Sequence, residues 1–97
     1  MAEALVQGRS AFAASAWAAA YEWLSAADRR APLEPDDLEL LATAAYLVGH
    51  DDQSAELWAR AHHELRGRGD PERAARCAFW LAFGLLNRAS RPAVAAG

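Results

Sequence analysis

Between Leu38 and Leu65 two segments with helical patterning, LELLATAAYLV and QSAELWARAHHEL, flank the short break Gly49-His50-Asp51. Apolar or small residues recur at Leu38, Leu41, Ala42, Ala45 and Tyr46 in the first arm, and at Ser54, Leu57, Trp58, Ala61 and Leu65 in the second. This spacing places one stripe along one face of a helix. Each arm therefore has a face to bury, and so short a break folds the second arm back antiparallel along the first. The small residues Ala42, Ala45, Ser54 and Ala61 permit close approach of the two axes. A chain organised around such a hairpin is confined to helix-on-helix packing, and the expected fold class is all-α.

The rest of the sequence supplies further helices. Ala2 to Ala14 carries Leu5, Gly8, Ala11 and Phe12 on one face. Ser15 interrupts it and is expected to N-cap a second helix with the stripe Trp17, Ala20, Tyr21, Leu24 and Ala27. Arg29 and Arg30 suit the C-terminal turn of that helix, and Pro32 and Pro35 forbid its continuation. Asp36 or Asp37 is expected to cap the next helix, with Glu39 in its first turn. After the central hairpin, Gly67-Arg68-Gly69 provides glycines for a left-handed helix end. Asp70-Pro71-Glu72 is a strong start signal for a fifth helix running to about Asn87. Its stretch CAFWLAFGLL is apolar on every face and predicts cover on more than one side. Ser90-Arg91-Pro92 reads as another helix start, so the chain is expected to end inside a structural unit.

Composition narrows the function classes. Ninety-seven residues make one small domain, and 54% hydrophobic residues with a net charge of -3 suit a folded, water-soluble chain. All ten basic residues are arginine, and they do not cluster into the basic face that nucleic-acid binding needs. The single cysteine, Cys77, excludes an internal disulfide and reads as a small buried apolar side chain. The N-terminus lacks a secretion signal, although Ala14-Ser15-Ala16 resembles a cleavage site, and the expected location is cytoplasmic. The apolar runs from Ala11 to Tyr21 and from Cys77 to Leu86 fall short of the ~20 residues that span a bilayer, so no membrane partner is expected.

The two hairpins also overlay on each other. An offset of 34 residues aligns Ala11 with Ala45, Ser15 with Gly49, Ala20 with Ser54, Leu24 with Trp58 and Ala27 with Ala61. That period and those small and aromatic positions resemble the tetratricopeptide repeat. Gly8, Ala20, Leu24, Ala27 and Pro32 stand at signature positions of the first repeat, while Ala4, Gln7 and Ala11 depart from it. Leu41, Ala42, Trp58 and Ala61 match in the second, where Arg66 replaces the usual proline. The resemblance implies antiparallel hairpins stacked as a short right-handed solenoid over residues 1–97, with repeats at about 2–34 and 36–68 and an incomplete third at about 70–97. The stretch from Ala31 to Arg88 further resembles the repeat region of actinobacterial LuxR-type transcriptional regulators. This implies a sensing or assembly segment, with DNA bound by a separate helix-turn-helix and by no residue of this chain. Similar repeats accompany other output domains, nucleotide cyclases among them, and also form stand-alone peptide-binding adaptors.

No catalytic, cofactor or metal site is expected. His62 and His63 are adjacent on a helix and point about 100° apart, which prevents them from sharing an ion, and no HExxH spacing exists. Asp51-Asp52 reads as a charge pair at a helix start rather than a carboxylate dyad. No phosphate-binding glycine loop or nucleophile motif is present. Trp17, Trp58 and Trp80 fall on or beside stripes and are expected in the core, whereas Trp23 lies off its stripe. In the resembled family the first helix of each pair lines a concave face. Carried over by position, that face comprises Arg9, Phe12, Glu39, Thr43, Tyr46, Phe79 and Phe83, a candidate groove for a protein or peptide. The carboxylate-clamp form of that groove needs lysine, and this sequence has none. Finally, Phe79, Trp80, Phe83 and Leu86 stand on a helix whose pairing partner would begin near Ser90, and self-association through that uncovered face is expected.

Overall fold

The computed structural model describes residues 3–89. Five helices follow one another: α1 (Glu3–Ala13), α2 (Trp17–Arg30), α3 (Pro35–Leu47), α4 (Asp51–Gly67) and α5 (Pro71–Ala89). The described residues contain no strand, as the all-α expectation requires. The helix start anticipated at Ser90 lies outside the described residues.

Three of the four connections are the same turn. Ser15, Gly49 and Gly69 take positive φ values of 59°, 93° and 76°. At each, the next amide reaches back across the helix end: Ala16 N–H donates to Ala11 O at 2.9 Å, His50 to Ala45 O at 2.8 Å, and Asp70 to Leu65 O at 3.0 Å. A second bond closes the turn inside the first, from Ser15 to Phe12, Gly49 to Tyr46 and Gly69 to Arg66. This is the Schellman arrangement, which satisfies the last carbonyls of a helix through one left-handed residue. Ser15 is therefore the C-terminal stop of α1 and not the N-cap of α2, because a left-handed backbone excludes the extended geometry that an N-cap needs. Ala16 occupies the cap position without a side-chain bond.

The fourth connection also departs from expectation. Glu34, in extended conformation, precedes Pro35 at the first helical position, so α3 begins one to two residues before the expected Asp36 or Asp37 cap. Proline has no N–H to leave unsatisfied there and its φ is already helical. Both aspartates fall in the first turn. At α5 the sequence signal holds: the Arg73 N–H bonds to Asp70 Oδ1 at 3.2 Å, with Pro71 beginning the helix.

Side-chain contacts fix the helix directions. Across the α3–α4 turn, Ser54 Oγ donates to Ala42 O at 2.8 Å. Between α4 and α5, His62 Nδ1–H donates to Ala74 O at 2.7 Å, and four residues earlier on α4 Trp58 stacks on Trp80 at 6.3 Å. Residue numbers that rise on one helix as they fall on the next mean antiparallel neighbours. Alternate helices instead run parallel. Tyr21 donates to Gln53 and Arg60 pairs with Asp28, both 32 residues apart. Glu39 meets Arg73, 34 residues on, and Tyr46 meets Asn87.

The core lies along the seams of these pairs. Leu24, Leu41, Leu57, Leu65 and Cys77 are buried, interleaved with Ala20, Ala42, Ala45, Ala61 and Ala74. Gly8 is buried against Leu24 so closely that no side chain fits between them. Trp58 is buried and Trp17 is half-buried. Trp80 corrects the expectation of a third core tryptophan, since it is exposed on the flank of α5. The stripe of α5 that meets the body of the protein is Ala74, Cys77, Leu81 and Gly84, with Trp80 beside it rather than on it.

Candidate functional site

α3, α4 and α5 leave an apolar pocket of about 340 Å³ where the end of α3 meets the start of α4 and the second half of α5. Its walls include Tyr46 and Leu47 from α3, Trp58 from α4, and Trp80, Phe83 and Gly84 from α5. It exists because the buried stripe of α5 ends in a residue without a side chain. A Cβ placed on Gly84 would meet nothing within 4 Å.

An aromatic cluster forms the outer rim. Phe79, Trp80 and Phe83 pack on one another with centroid separations of 5.2, 5.6 and 6.3 Å. Trp80 is also anchored to the buried Trp58. Yet Phe79 is 59% exposed, Phe83 45%, Trp80 42% and Leu86, one turn further, 69%. Edge-to-face packing holds these rings in place without covering them. Among the described residues, nothing encloses Phe79, Trp80 and Phe83 on their outer side.

Two carboxylates, Glu39 and Asp51, stand in the pocket lining, and Glu39 is matched by arginines of α5. Glu39 accepts from Arg73 at 2.7 Å and Arg76 at 3.1 Å, and Arg73 also reaches Asp36 at 2.6 Å. The hydrogen bond to Glu39 raises the Arg73 pKa above its ordinary value. Cys77 Sγ lies 3.7 Å from the same carboxylate. Burial, reinforced by Glu39, pushes the thiol up to about 11. A thiol held protonated in this way is a packing group and a poor nucleophile.

The seven residues assigned to a concave face divide. Glu39, Thr43, Tyr46 and Phe83 line the pocket, and Phe79 stands at its rim. Thr43 Oγ1 donates to Glu39 O at 2.9 Å, and Tyr46 Oη accepts from Asn87 at 2.6 Å. Arg9 and Phe12 stand elsewhere. Arg9 grips Asp37 through two bonds of 2.9 and 2.8 Å in a separate polar cleft shared with Arg68 and Arg73. Phe12 packs edge-on against Trp17 at 5.1 Å. Neither Arg9 nor Glu39 is spare for orienting a ligand, since each is committed to charges of this chain.

Sequence reasoning missed Trp58, Trp80, Leu47 and Gly84 as pocket residues. The available signal was the all-round apolar character of α5. The histidines serve locally: His50 stacks on Tyr21 at 4.7 Å and His62 bonds to Ala74. Among the described residues, no group of three His, Cys, Asp or Glu side chains converges as metal ligands would. No described helix is long and apolar enough to cross a membrane. The site can receive an apolar side chain or helix face, holding it by shape and aromatic area. No protein-family model, curated protein or solved structure matches the chain, so the role of this site is argued from its geometry.

Proposed function

We propose that this chain is a protein-interaction module built of tetratricopeptide-like hairpins stacked as a short right-handed solenoid. It binds an apolar segment of a protein partner in the groove between α3, α4 and α5. The observation that carries the reading is the pocket of about 340 Å³ bordered by exposed, mutually packed aromatic rings. Exposed aromatic area of this kind is the usual anchor of a protein interface. Two features support the repeat architecture: the turns at Ser15 and Gly49, alike bond for bond at an offset of 34 residues, and the parallel run of alternate helices. The resemblance to LuxR-type regulators makes the module a cytoplasmic sensing or assembly segment, with DNA contacted by another part of the polypeptide and no chemistry performed here.

Binding is tested by selecting helical peptides from a display library against the immobilised chain. Groove-directed peptides should shift tryptophan emission, and Phe83→Ser should weaken them by roughly tenfold or more. A selection yielding no peptide sensitive to Phe83 or Trp80 refutes the binding reading. The parent protein is tested separately by the coding sequence after Gly97. A helix-turn-helix supports the regulator, whereas a cyclase domain or a stop codon replaces it with a signalling enzyme or an adaptor.

A further inference from the structure

We infer that the α1–α2 hairpin is a hinged arm, which swings away from α3, α4 and α5 about residues 31–34 while those three helices stay packed together. This device is independent of what the groove binds. Three observations carry it, the first being the connection itself. The turns at Ser15, Gly49 and Gly69 are each closed by two backbone hydrogen bonds, which fix the angle between the helices they join. No backbone bond of that kind joins α2 to α3 among the described residues. Ala31 is extended, with φ −159° and ψ 137°, and Glu34 is extended too. The Leu33 N–H bonds to Asp28 Oδ1 at 3.1 Å, a side chain of the arm's own helix. Rotation at a few such residues re-aims a helix pair without breaking either helix.

The second observation is how unevenly burial is shared. Among the described residues, α1 buries Gly8 alone and α2 buries Ala20 and Leu24. Gly8 meets Leu24 within the hairpin. Leu5, Phe12, Tyr21 and Ala27 are half-buried. By contrast α3 and α4 bury Leu38, Leu41, Leu57, Trp58 and Leu65, and α5 is bound to them by the Trp58–Trp80 stack and the His62–Ala74 hydrogen bond. Opening a joint exposes the apolar area buried there, so the joint to the arm gives way before the seams among α3, α4 and α5.

The third observation is that the joint is tied by polar groups within reach of water. Arg9 spans it to Asp37 and Arg60 spans it to Asp28, with the two arginine side chains 54% and 40% exposed. Tyr21 donates to Gln53 and stacks on His50. Two clefts of about 450 Å³ border the joint, one walled by Arg9 and the starts of α3 and α5, the other by Pro32, Leu33 and α4. Ties of this kind exchange for bonds to water when the joint opens. Closure also carries a penalty. Ser25, on the flank of α2 that bears Tyr21 and Asp28, keeps its hydroxyl oxygen buried with no hydrogen-bond partner among the described residues, and opening hydrates it.

The test follows two thiols in one chain. Ser25→Cys places a thiol in the joint, and native Cys77, fully buried on α5, reports on the rest of the molecule. The rate of each with a disulfide reagent is divided by the rate of the same thiol in the urea-unfolded chain. So normalised, the thiol of Ser25→Cys should react at least about 100-fold faster than Cys77. Adding Trp58→Leu, at the seam of α4 with α5, weakens the three-helix body whether the arm is open or closed. It should raise the Cys77 rate at least about tenfold and leave the joint thiol within about twofold, and Ala74→Gly takes its place if that variant does not fold. Adding Arg9→Met cuts a tie across the joint and should speed both thiols at least about fivefold, because the closed chain is destabilised against every opened form. Arg9 stands on α1 and Ser25 on α2, so that response belongs to the hairpin as a whole. A joint thiol no faster than Cys77, or one that speeds up with Cys77 in Trp58→Leu, means that the chain opens all at once and overturns the inference. So does a fast joint thiol that Arg9→Met leaves unchanged, since the reagent then reaches it without the joint opening.

Discussion

A methyl group added to Gly8 would sit 2.6 Å from Cγ and 2.7 Å from Cδ2 of Leu24, and 3.2 Å from the Leu24 backbone nitrogen. Carbon atoms rest about 3.5–4.0 Å apart, so the overlap approaches 1 Å. Leu24 cannot swing away, because it is among the fully buried large side chains, and its nitrogen is fixed by α2. Relief requires α1 and α2 to separate, and forced overpacking of this kind costs about 1–3 kcal/mol. Alanine returns up to about 1 kcal/mol through helix propensity. With an overlap this large the cost lies toward the upper end, and Gly8→Ala should destabilise the fold by a net of about 1–2 kcal/mol. Gly84→Ala has the propensity gain without the overlap and should stabilise by about 1 kcal/mol. Thermal unfolding followed by circular dichroism at a few micromolar reads both, with about 4–8 °C expected per kcal/mol in a domain of this size. A double-mutant cycle sharpens the argument. Leu24→Ala alone should cost about 2–5 kcal/mol, and adding Gly8→Ala should then cost at least about 1 kcal/mol less than it does alone, because its methyl enters the vacated space. If Gly8→Ala melts at or above the parent, or the two changes simply add, the close approach of α1 and α2 is not what selects glycine.

Three further outcomes follow from the charges and the thiol. Asp37 is 3% exposed and depends on Arg9, so Arg9→Met should cost about 1–3 kcal/mol in urea unfolding, with much of the loss recovered in Arg9→Met/Asp37→Leu, which leaves no carboxylate stranded. Asp28 is held below its ordinary pKa of 3.8 by the Arg60 hydrogen bond and by the Leu33 N–H. Its stabilising contribution is complete above that value and drains as pH falls through the lower folded-state pKa, so Asp28→Asn should flatten the acid limb of a stability–pH curve. Cys77 is raised, so its contribution is complete below the ordinary value of 9.0 and lost as pH climbs toward about 11. Cys77→Ser should remove that alkaline slope, and native Cys77 should react with a disulfide reagent at pH 8 no faster than the chain unfolds.

Where a side chain announces its own backbone requirement, the sequence was enough. Asp70-Pro71 marks a helix start by chemistry confined to a few residues, and of the two glycines expected to end α4 it is Gly69 that takes the left-handed stop, as Gly49 does in the break before α4. Ser15 makes the same turn without the glycine. A serine between two helices reads as a cap by its hydroxyl, and only the overlay of Ser15 on Gly49 hinted that its backbone, not its side chain, closes the helix. Asp37 was illegible for a different reason. An acid near a helix start is ordinarily solvated, and the partner that lets this one be buried, Arg9, lies 28 residues away on another helix.

The groove was misjudged through a rule that ties size to burial. Large apolar residues gain most from leaving water, so Trp80 was placed in the core with Trp17 and Trp58. But the seam of α5 is made of Ala74, Cys77, Leu81 and Gly84, three of them small. Small residues bring helix axes close, and a close seam has no volume for an indole. The rings are therefore displaced to the flank, where the start of α4 and the end of α3 leave Trp80, Phe83 and Leu47 exposed around a hole. α3 obeys the same logic: Ala42, Ala44 and Ala45 are fully buried while Leu47, one turn from Thr43, stands in the open. In a chain whose seams are rich in alanine, the large side chains off the seam mark surfaces that the fold does not need for itself. Gly84 shows the same pattern: a small residue continues the seam of α5 beside a pocket that no described side chain fills.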